Sequence, residues 1–158
     1  MSVDVRVSAA SDASEDRAFV RDLGRRTAMS SVGSIRPAGE ESVLRAFDRL
    51  TAAVEGQASQ VTLIARRNGE RAGFLLLLND LPDEVTLLPG AFVAYMAVEP
   101  GARRSGVGAA LLGAAENEAR RRGVPYIALM VSETNDPARR LYHHAGYHTE
   151  RRLLCKAL

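Results

Sequence analysis

The residue pattern predicts a mixed α/β fold of α+β type, with a largely antiparallel central sheet flanked by about four helices. Short β-type runs recur along the chain, and two of them are joined by Asn68-Gly69, a pair that readily adopts the positive φ of a tight hairpin turn. Four other segments carry apolar residues at helical spacing. The order that results is β-α-α-β-β-β-α-β-α-β.

Val3, Val5 and Val7 alternate with polar neighbours and read as a first strand. Ser14 starts a helix whose apolar stripe, Phe19, Val20 and Leu23, runs toward Thr27. The stretch Met29 to Pro37 is a loop by composition. A second helix runs from about Glu40 to Val54, with Val43, Leu44, Phe47 and Leu50 on one side. The hairpin strands are Val61 to Arg66 and Ala72 to Leu78. A loop rich in Asp, Glu and Pro then leads to the strand Ala91 to Val98, which Pro100 and Gly101 end. From Gly106 to Arg122 the pattern is helical again. Glu116 and Glu118 precede Arg120 and Arg122 by four residues, the favourable order, and Gly123 supplies a left-handed stop. Tyr126 to Val131 reads as a buried strand. Asp136 as N-cap and Pro137 at the first helical position begin a short helix closed by Gly146, and Tyr147 to Leu154 reads as a last strand.

A length of 158 residues with no linker or repeat predicts a single domain, 1–158. Apolar residues at 46% and charged residues at 25% suit a globular chain with a real core. A net charge of +2, with arginines in scattered pairs and only 5% aromatics, argues against a nucleic-acid binder. No apolar run approaches the ~20 residues of a membrane span, so no membrane partner is expected and a cytoplasmic location is the default. Cys155, the single cysteine, excludes an internal disulfide; it sits in the apolar tail Leu153-Leu154-Cys155 and reads as a small buried hydrophobe.

The chemistry concentrates in Val98 to Gly108, where a strand stops, a loop passes Arg103 and Arg104, and Gly106 and Gly108 open a helix. Helix N-termini present unpaired N–H groups and partial positive charge, and so bind phosphates. The two glycines would let an anion approach the backbone, and either arginine would add charge-assisted bonds. Taken alone, the glycine pair reads equally well as a helix start without a ligand. A dinucleotide fingerprint is excluded, since Gly106-Val107-Gly108 is followed by Leu111 where a third glycine is needed.

This segment resembles motif A of the GNAT superfamily of N-acetyltransferases, with Arg103, Gly106 and Gly108 in register. Asn135, Ala138, Leu141, Tyr142, Gly146 and Tyr147 are similar to its motif B. Together the motifs cover Phe92 to Tyr147, roughly a third of the chain. The resemblance implies a GNAT-like fold and acetyl-CoA as co-substrate. Met96 and Val98 would bond the pantetheine arm through their main chain, and Arg103, Arg104, Ser105, Gly106, Val107 and Gly108 would hold the pyrophosphate. Asn135 would contact the arm, and Tyr142 would protonate the departing thiolate. Outside the resemblance, Tyr142 on a short helix reads as core packing. The resemblance also admits a homodimer without placing its interface.

Many members of that superfamily carry a Glu on the strand before motif A, but Ala91 to Val98 holds no carboxylate. Asp80, Asp83 and Glu84 in the upstream loop could act as base directly or through water, and Tyr95 could line the site, but each reads better as a solvated loop or packing residue; Glu99 is expected to be exposed. His143, His144 and His148 do not fit a metal site, because adjacent helical residues point about 100° apart and the spacing matches no zinc motif. The leading expectation is therefore transfer of acetyl from acetyl-CoA to a primary amine by direct attack in a ternary complex. The acceptor, a small molecule or peptide, would be selected by Met29 to Pro37 and Asn79 to Gly90. The missing strand carboxylate supports an alternative, an acyl-CoA-binding sensor with little turnover.

Overall fold

A computed structural model of the chain describes residues 4–11 and 14–158. The sequence of elements is β1 (Val5–Ala9), α1 (Ser14–Thr27), α2 (Glu40–Glu55), β2 (Val61–Arg67), β3 (Glu70–Leu78), β4 (Ala91–Val98), α3 (Val107–Arg121), β5 (Ile127–Leu129) and α4 (Asp136–His144). The expected alternation beginning at Val3 is seen from Val5 onward; Val3 itself lies outside the described residues. Asn68 and Gly69 both take positive φ, 51° and 86°, the turn geometry that matches the twist of β2 and β3.

The five strands lie in sequence order, β1-β2-β3-β4-β5. The first three pairings are antiparallel and the last, β4 with β5, is parallel. Each face of the sheet buries its own core. On one face α3 packs through Val107, Leu111, Leu112, Ala115 and Ala119 over Leu63, Leu75 and Val93. On the other, α1 and α2 bring Val20, Leu23 and Phe47 onto Ile64, Phe74 and Leu76. Residues of β3 therefore alternate between the two cores, as the period of a strand requires.

Close approach of these layers depends on two glycines. A Cβ at Gly24 would fall 1.9 Å from the Phe47 ring, so α1 and α2 can touch only because that atom is missing. At Gly73 a Cβ would meet the Ala97 carbonyl oxygen at 2.8 Å and Val107 Cγ1 at 3.1 Å, so the start of α3 can sit down on the sheet. A buried carboxylate joins the other layers. Asp16, on α1 and 1% exposed, accepts from Arg71 at 2.7 Å, from Arg66 at 3.0 Å and from the Ser11 N–H at 2.9 Å.

The C-terminal part departs from expectation. Pairing of β5 covers only Ile127–Leu129, not Tyr126 to Val131, and Tyr147 to Leu154 forms no strand. A strand has no hydrogen bonds of its own and exists only against a partner. After Tyr147, whose N–H donates to the Tyr142 carbonyl at 3.0 Å, the tail makes no backbone hydrogen bond among the described residues. Cys155 lies in this tail and is exposed, not buried.

Candidate active site

The site grows out of a fault in the sheet. In the β3–β4 register Leu76 faces Tyr95 but Leu77 faces Val93, which leaves Ala94 as an extra, unpaired residue in β4. Such a bulge bends the strand and raises its twist. Parallel pairing with β5 ends at this point: Ala91, Phe92 and Val93 oppose Ile127, Ala128 and Leu129, and on that side none of the described residues pairs with the rest of β4. The two strands part beyond Val93.

Which backbone groups face the opening follows from strand alternation. The Glu99 N–H donates to the Ala72 carbonyl at 2.8 Å, so position 99 points at β3. Positions 97 and 95 then point the same way, and Met96 and Val98 turn their N–H and C=O groups toward the opening. The groups expected to be available are thus the ones the pleat leaves unpaired.

Above the end of β4, the chain passes through a short 3-10 turn, Pro100–Ala102, and enters α3 by way of two left-handed residues, Arg104 (φ 58°) and Gly106 (φ 85°). Alternating backbone hand of this kind curls successive N–H groups around one concavity suited to an anion. No side chain caps α3, and its first internal bond is Ala110 N–H to the Gly106 carbonyl at 2.9 Å. The Ser105 hydroxyl, the nearest capping candidate, is spent on the Ala102 carbonyl. The Arg103 N–H bonds the Pro100 carbonyl at 3.4 Å, while the amides from Arg104 to Gly108 keep their donors for something outside the helix. Arg103 and Arg104 are both exposed and form no ion pair among the described residues. Two cations at a positive helix end are unfavourable without a counter-charge.

The second expected glycine does something different. A Cβ on Gly108 would fall 2.9 Å from Leu141 Cδ2, so its bareness admits α4 against α3. The anion concavity itself turns on Gly106. The cap of α4 also shifts by one residue from expectation: Asn135 is the N-cap, its Oδ1 accepting from the Ala138 N–H at 3.4 Å, and Pro137 takes the second helical position. Either Asn or Asp caps well, and the carboxamide sits three residues before the amide it must reach.

Tyr142 lies on α4, partly buried against the α3-side core. Burial raises its phenol above the usual value, and no hydrogen bond or charge contributes. Its neighbour Tyr147, a motif residue in the sequence, has a mechanical part in the structure. Gly146 (φ 90°) ends α4, its N–H bonds the His143 carbonyl at 3.1 Å, and the Tyr147 N–H bonds that of Tyr142. This is the paired closure in which the residue beyond the glycine packs on the one three before the cap. The two rings meet edge to face with centroids 6.1 Å apart.

The other candidates fall away from the opening. Tyr95 points into the α1–α2 core, stacked 5.8 Å from Phe74, with its hydroxyl 2.8 Å from Thr27 Oγ1. Glu99 is not simply exposed; it holds Arg26 of α1 at 2.6 Å. Asp83 is bound by the Thr86 hydroxyl and N–H and by Arg151, which lower its carboxyl to about 2 and make it a weak base. With Asp80 and Glu84 it occupies the loop before Ala91, at the closed end of the opening. The loop between α1 and α2 does reach the open end, where Ser132 Oγ donates to the Ser31 carbonyl at 3.2 Å. His143 and His144 stand at 82° to one another, and His144 Nδ1 lies 2.8 Å from the Arg140 carbonyl.

A parted parallel strand pair, an uncapped helix start and a tyrosine beside them coincide with a sequence profile, that of the acetyltransferase (GNAT) family, which matches residues 30–147. The chain belongs to this family. Solved structures agree on the fold. A candidate acetyl transferase from Pyrococcus furiosus is 24% identical, with a TM-score of 0.79 over 98% of this chain and 100% of the other. The ribosomal-protein-alanine N-acetyltransferase of Brucella melitensis biovar Abortus is 18% identical, TM-score 0.68, over 98% and 99%. AAC(6')-Iy, solved with the bisubstrate analog CoA-S-monomethyl-acetylneamine, is 15% identical, TM-score 0.63, over 98% of each. No curated relative matches the sequence. As a GNAT domain, the chain places its family-matched segment across both halves of the opening, from the α1–α2 loop to the aromatic that braces Tyr142.

Proposed function

We propose that this acetyltransferase moves the acetyl group of acetyl-CoA to a primary amine by direct attack in a ternary complex. The observation that carries the reading is the start of α3. Uncapped amides curl there around a left-handed Gly106, beside Arg103 and Arg104 with no counter-charge. A diphosphate supplies the missing charge and acceptors together. In this reading the amides from Arg104 to Gly108 hold the diphosphate. Met96 and Val98 bond the pantetheine arm through their outward main-chain groups, and the NH2 of Asn135, not used by its capping oxygen, contacts the arm from the other side.

Bound acetyl-CoA supplies an acyl carbon already activated as a thioester. The chain's part is therefore placement, polarisation and proton handling. Main-chain N–H groups of β4 at the parting of the strands polarise the carbonyl oxygen. The α1–α2 loop borders the open end and positions the amine. As the C–N bond forms and the C–S bond breaks, the Tyr142 hydroxyl gives its proton to the leaving sulfur, and the proton shed by the amine nitrogen passes to solvent water, from which the phenolate is reprotonated. The phenol, its pKa raised by burial, is protonated at neutral pH and so carries the proton to be given.

An amine panel incubated with acetyl-CoA and read by release of free thiol tests the proposal. Thiol release that depends on amine and protein is expected. Tight binding of CoA with no release for any amine would assign the chain to the sensor reading, which the lack of a carboxylate in Ala91–Val98 favours.

A further inference from the structure

At the opening the two faces of the sheet are furnished differently. Over one face, α3 and α4 pack on Val93, Ile127 and Leu129 and bring in the anion concavity and Tyr142. Over the other, α1 and α2 cover residues of β2, β3 and β4, and no residue of β5 joins that core. Strand alternation turns Ala128 to this second face, beside its pairing partner Phe92, and Met130 follows two residues on. Ala128 is exposed and Met130 is 79% exposed, whereas Ile127 and Leu129 on the α3 side are half-buried. Next to the parting of the strands, β5 is therefore bare and apolar on the side away from the proposed co-substrate.

The α1–α2 loop borders this strip. Its Ser31 is bonded to Ser132, and Met29 and Met130 each stand two residues from that bond. Met29 and Ile35 are the large apolar side chains that the loop leaves exposed, 42% and 52%. With Phe92, Met130 and Val131 they make an apolar patch that ends where β4 and β5 part. Free carboxylates are missing from it. From Thr27 to Gly39 no residue is acidic, and from Tyr126 to Asn135 only Glu133 is, paired with Arg139 at 3.6 Å. Glu99, just past β4, is held by Arg26. The one charge between Thr27 and Gly39 is Arg36, which forms no ion pair among the described residues. A polycationic acceptor would bring charges here that nothing matches. A small apolar body would cover what is now exposed.

We propose, resting on the acetyl transfer proposed above, that the acceptor is a monoamine on an apolar body, an alkylamine or phenylalkylamine seated on this patch with its nitrogen at the parting of the strands. The patch also answers for the carboxylate that Ala91–Val98 lacks. Apolar surroundings disfavour an ammonium and select the neutral amine, which is the form that attacks a thioester. The neutral nitrogen forms the C–N bond, the sulfur leaves with the Tyr142 proton, and the surplus proton on nitrogen goes to water. Desolvation of the acceptor thus does the work of a fixed base.

Thiol release at saturating acetyl-CoA, compared across butylamine, hexylamine, phenethylamine, hexamethylenediamine and neamine, tests this. From butylamine to hexylamine kcat/KM is expected to rise about fourfold per methylene buried. Hexamethylenediamine has the same chain as hexylamine and a second ammonium, and is expected to fall about tenfold or more below it, with neamine lower still. Met130→Glu alters an exposed side chain, so its circular dichroism and its CoA-induced rise in melting temperature should match the wild type. Its hexylamine-to-diamine ratio should drop by about tenfold or more, because the new carboxylate opposes the apolar chain and pairs with the second ammonium. The diamine or neamine preferred by the wild type overturns the proposal and leaves acetyl transfer standing. So does a ratio untouched by Met130→Glu, and so does a rate flat with chain length, which would leave the patch to a protein partner. Release from no amine would instead remove acetyl transfer, and calorimetry on the CoA-loaded protein then judges the patch alone. Hexylamine bound ahead of the diamine upholds it there; equal or absent binding overturns it.

Discussion

Gly106 and Gly108 stand two residues apart and do unlike work, which makes them separable by experiment. Gly106 needs its left-handed backbone, and a Cβ there costs about 1–2 kcal/mol. Gly106→Ala is therefore expected to lower stability by about that amount and to flatten the anion concavity, so that CoA binding falls with it. Gly108 has ordinary helical φ but faces Leu141. Gly108→Ala gains up to about 1 kcal/mol of helix propensity. It spends this on displacing the flexible end of Leu141, the residue next to Tyr142. Its melting temperature should barely move while turnover drops. Equal losses of binding in both variants would contradict this division. For Tyr142, the phenol's raised pKa means that its loss as an acid lies above pH 10, beyond the ordinary phenol value. Tyr142→Phe should abolish most turnover and keep CoA affinity, and the wild-type kcat profile should show no falling limb from this group between pH 7 and 9. Turnover unchanged in the phenylalanine variant would return Tyr142 to plain packing.

At the scale of elements, a buried carboxylate ties the start of α1 to the sheet. Burial alone would raise the Asp16 pKa, but bonds from Ser11, Arg71 and Arg66 outweigh it and the net shift is downward. A depressed folded value stabilises the protein at neutral pH, and that contribution is lost as pH falls through the folded pKa. Removing one partner of a buried pair costs about 3–5 kcal/mol. Asp16→Asn should sit at the low end, since Arg66 and Arg71 remain 30% and 29% exposed and can rehydrate. Denaturant titrations at pH 7 and pH 3 should show the two proteins converging in acid; a constant gap would deny Asp16 its charged role. Little in the sequence announced this tie, because its partners come from residues fifty and more positions away. Elements set by neighbours in sequence were legible. The hairpin follows from Asn68-Gly69, and the end of α3 from Gly123, whose N–H bonds the Arg120 carbonyl at 3.0 Å. In the site, the helix opening at Gly106 was readable, and the cap at Asn135 within a residue, for the same reason; the left-handed backbone of Gly106 was not expected. The bulge at Ala94 and the close contact at Gly73 have no local signature, since both are decided by what lies across the sheet. Tyr147 to Leu154 has the composition of a strand, yet a strand also needs an edge to pair with, and composition names no edge.

For the molecule as a whole, the proposed co-substrate spans parts drawn from three elements: β4, the start of α3 and the cap of α4. A ligand that binds only the folded state stabilises it by about 2.7 kcal/mol at a hundred times its Kd. For a domain of this length each kcal/mol moves the melting temperature by roughly 2–4 °C. CoA at that excess should therefore raise the melting temperature by about 5–11 °C. Fragments of the ligand divide the effect between the strands and the helix. Pantetheine, which carries the arm without the diphosphate, should shift melting much less at the same concentration, because it leaves Arg103, Arg104 and the α3 amides unsatisfied. Arg103→Ala/Arg104→Ala should cut the CoA shift and leave the small pantetheine shift alone. Added salt should act in the same direction, since both arginines are exposed and screened. Equal shifts from CoA and pantetheine would mean that the strands bind and the helix start does not, and the charge surplus around Gly106 would then need another anion.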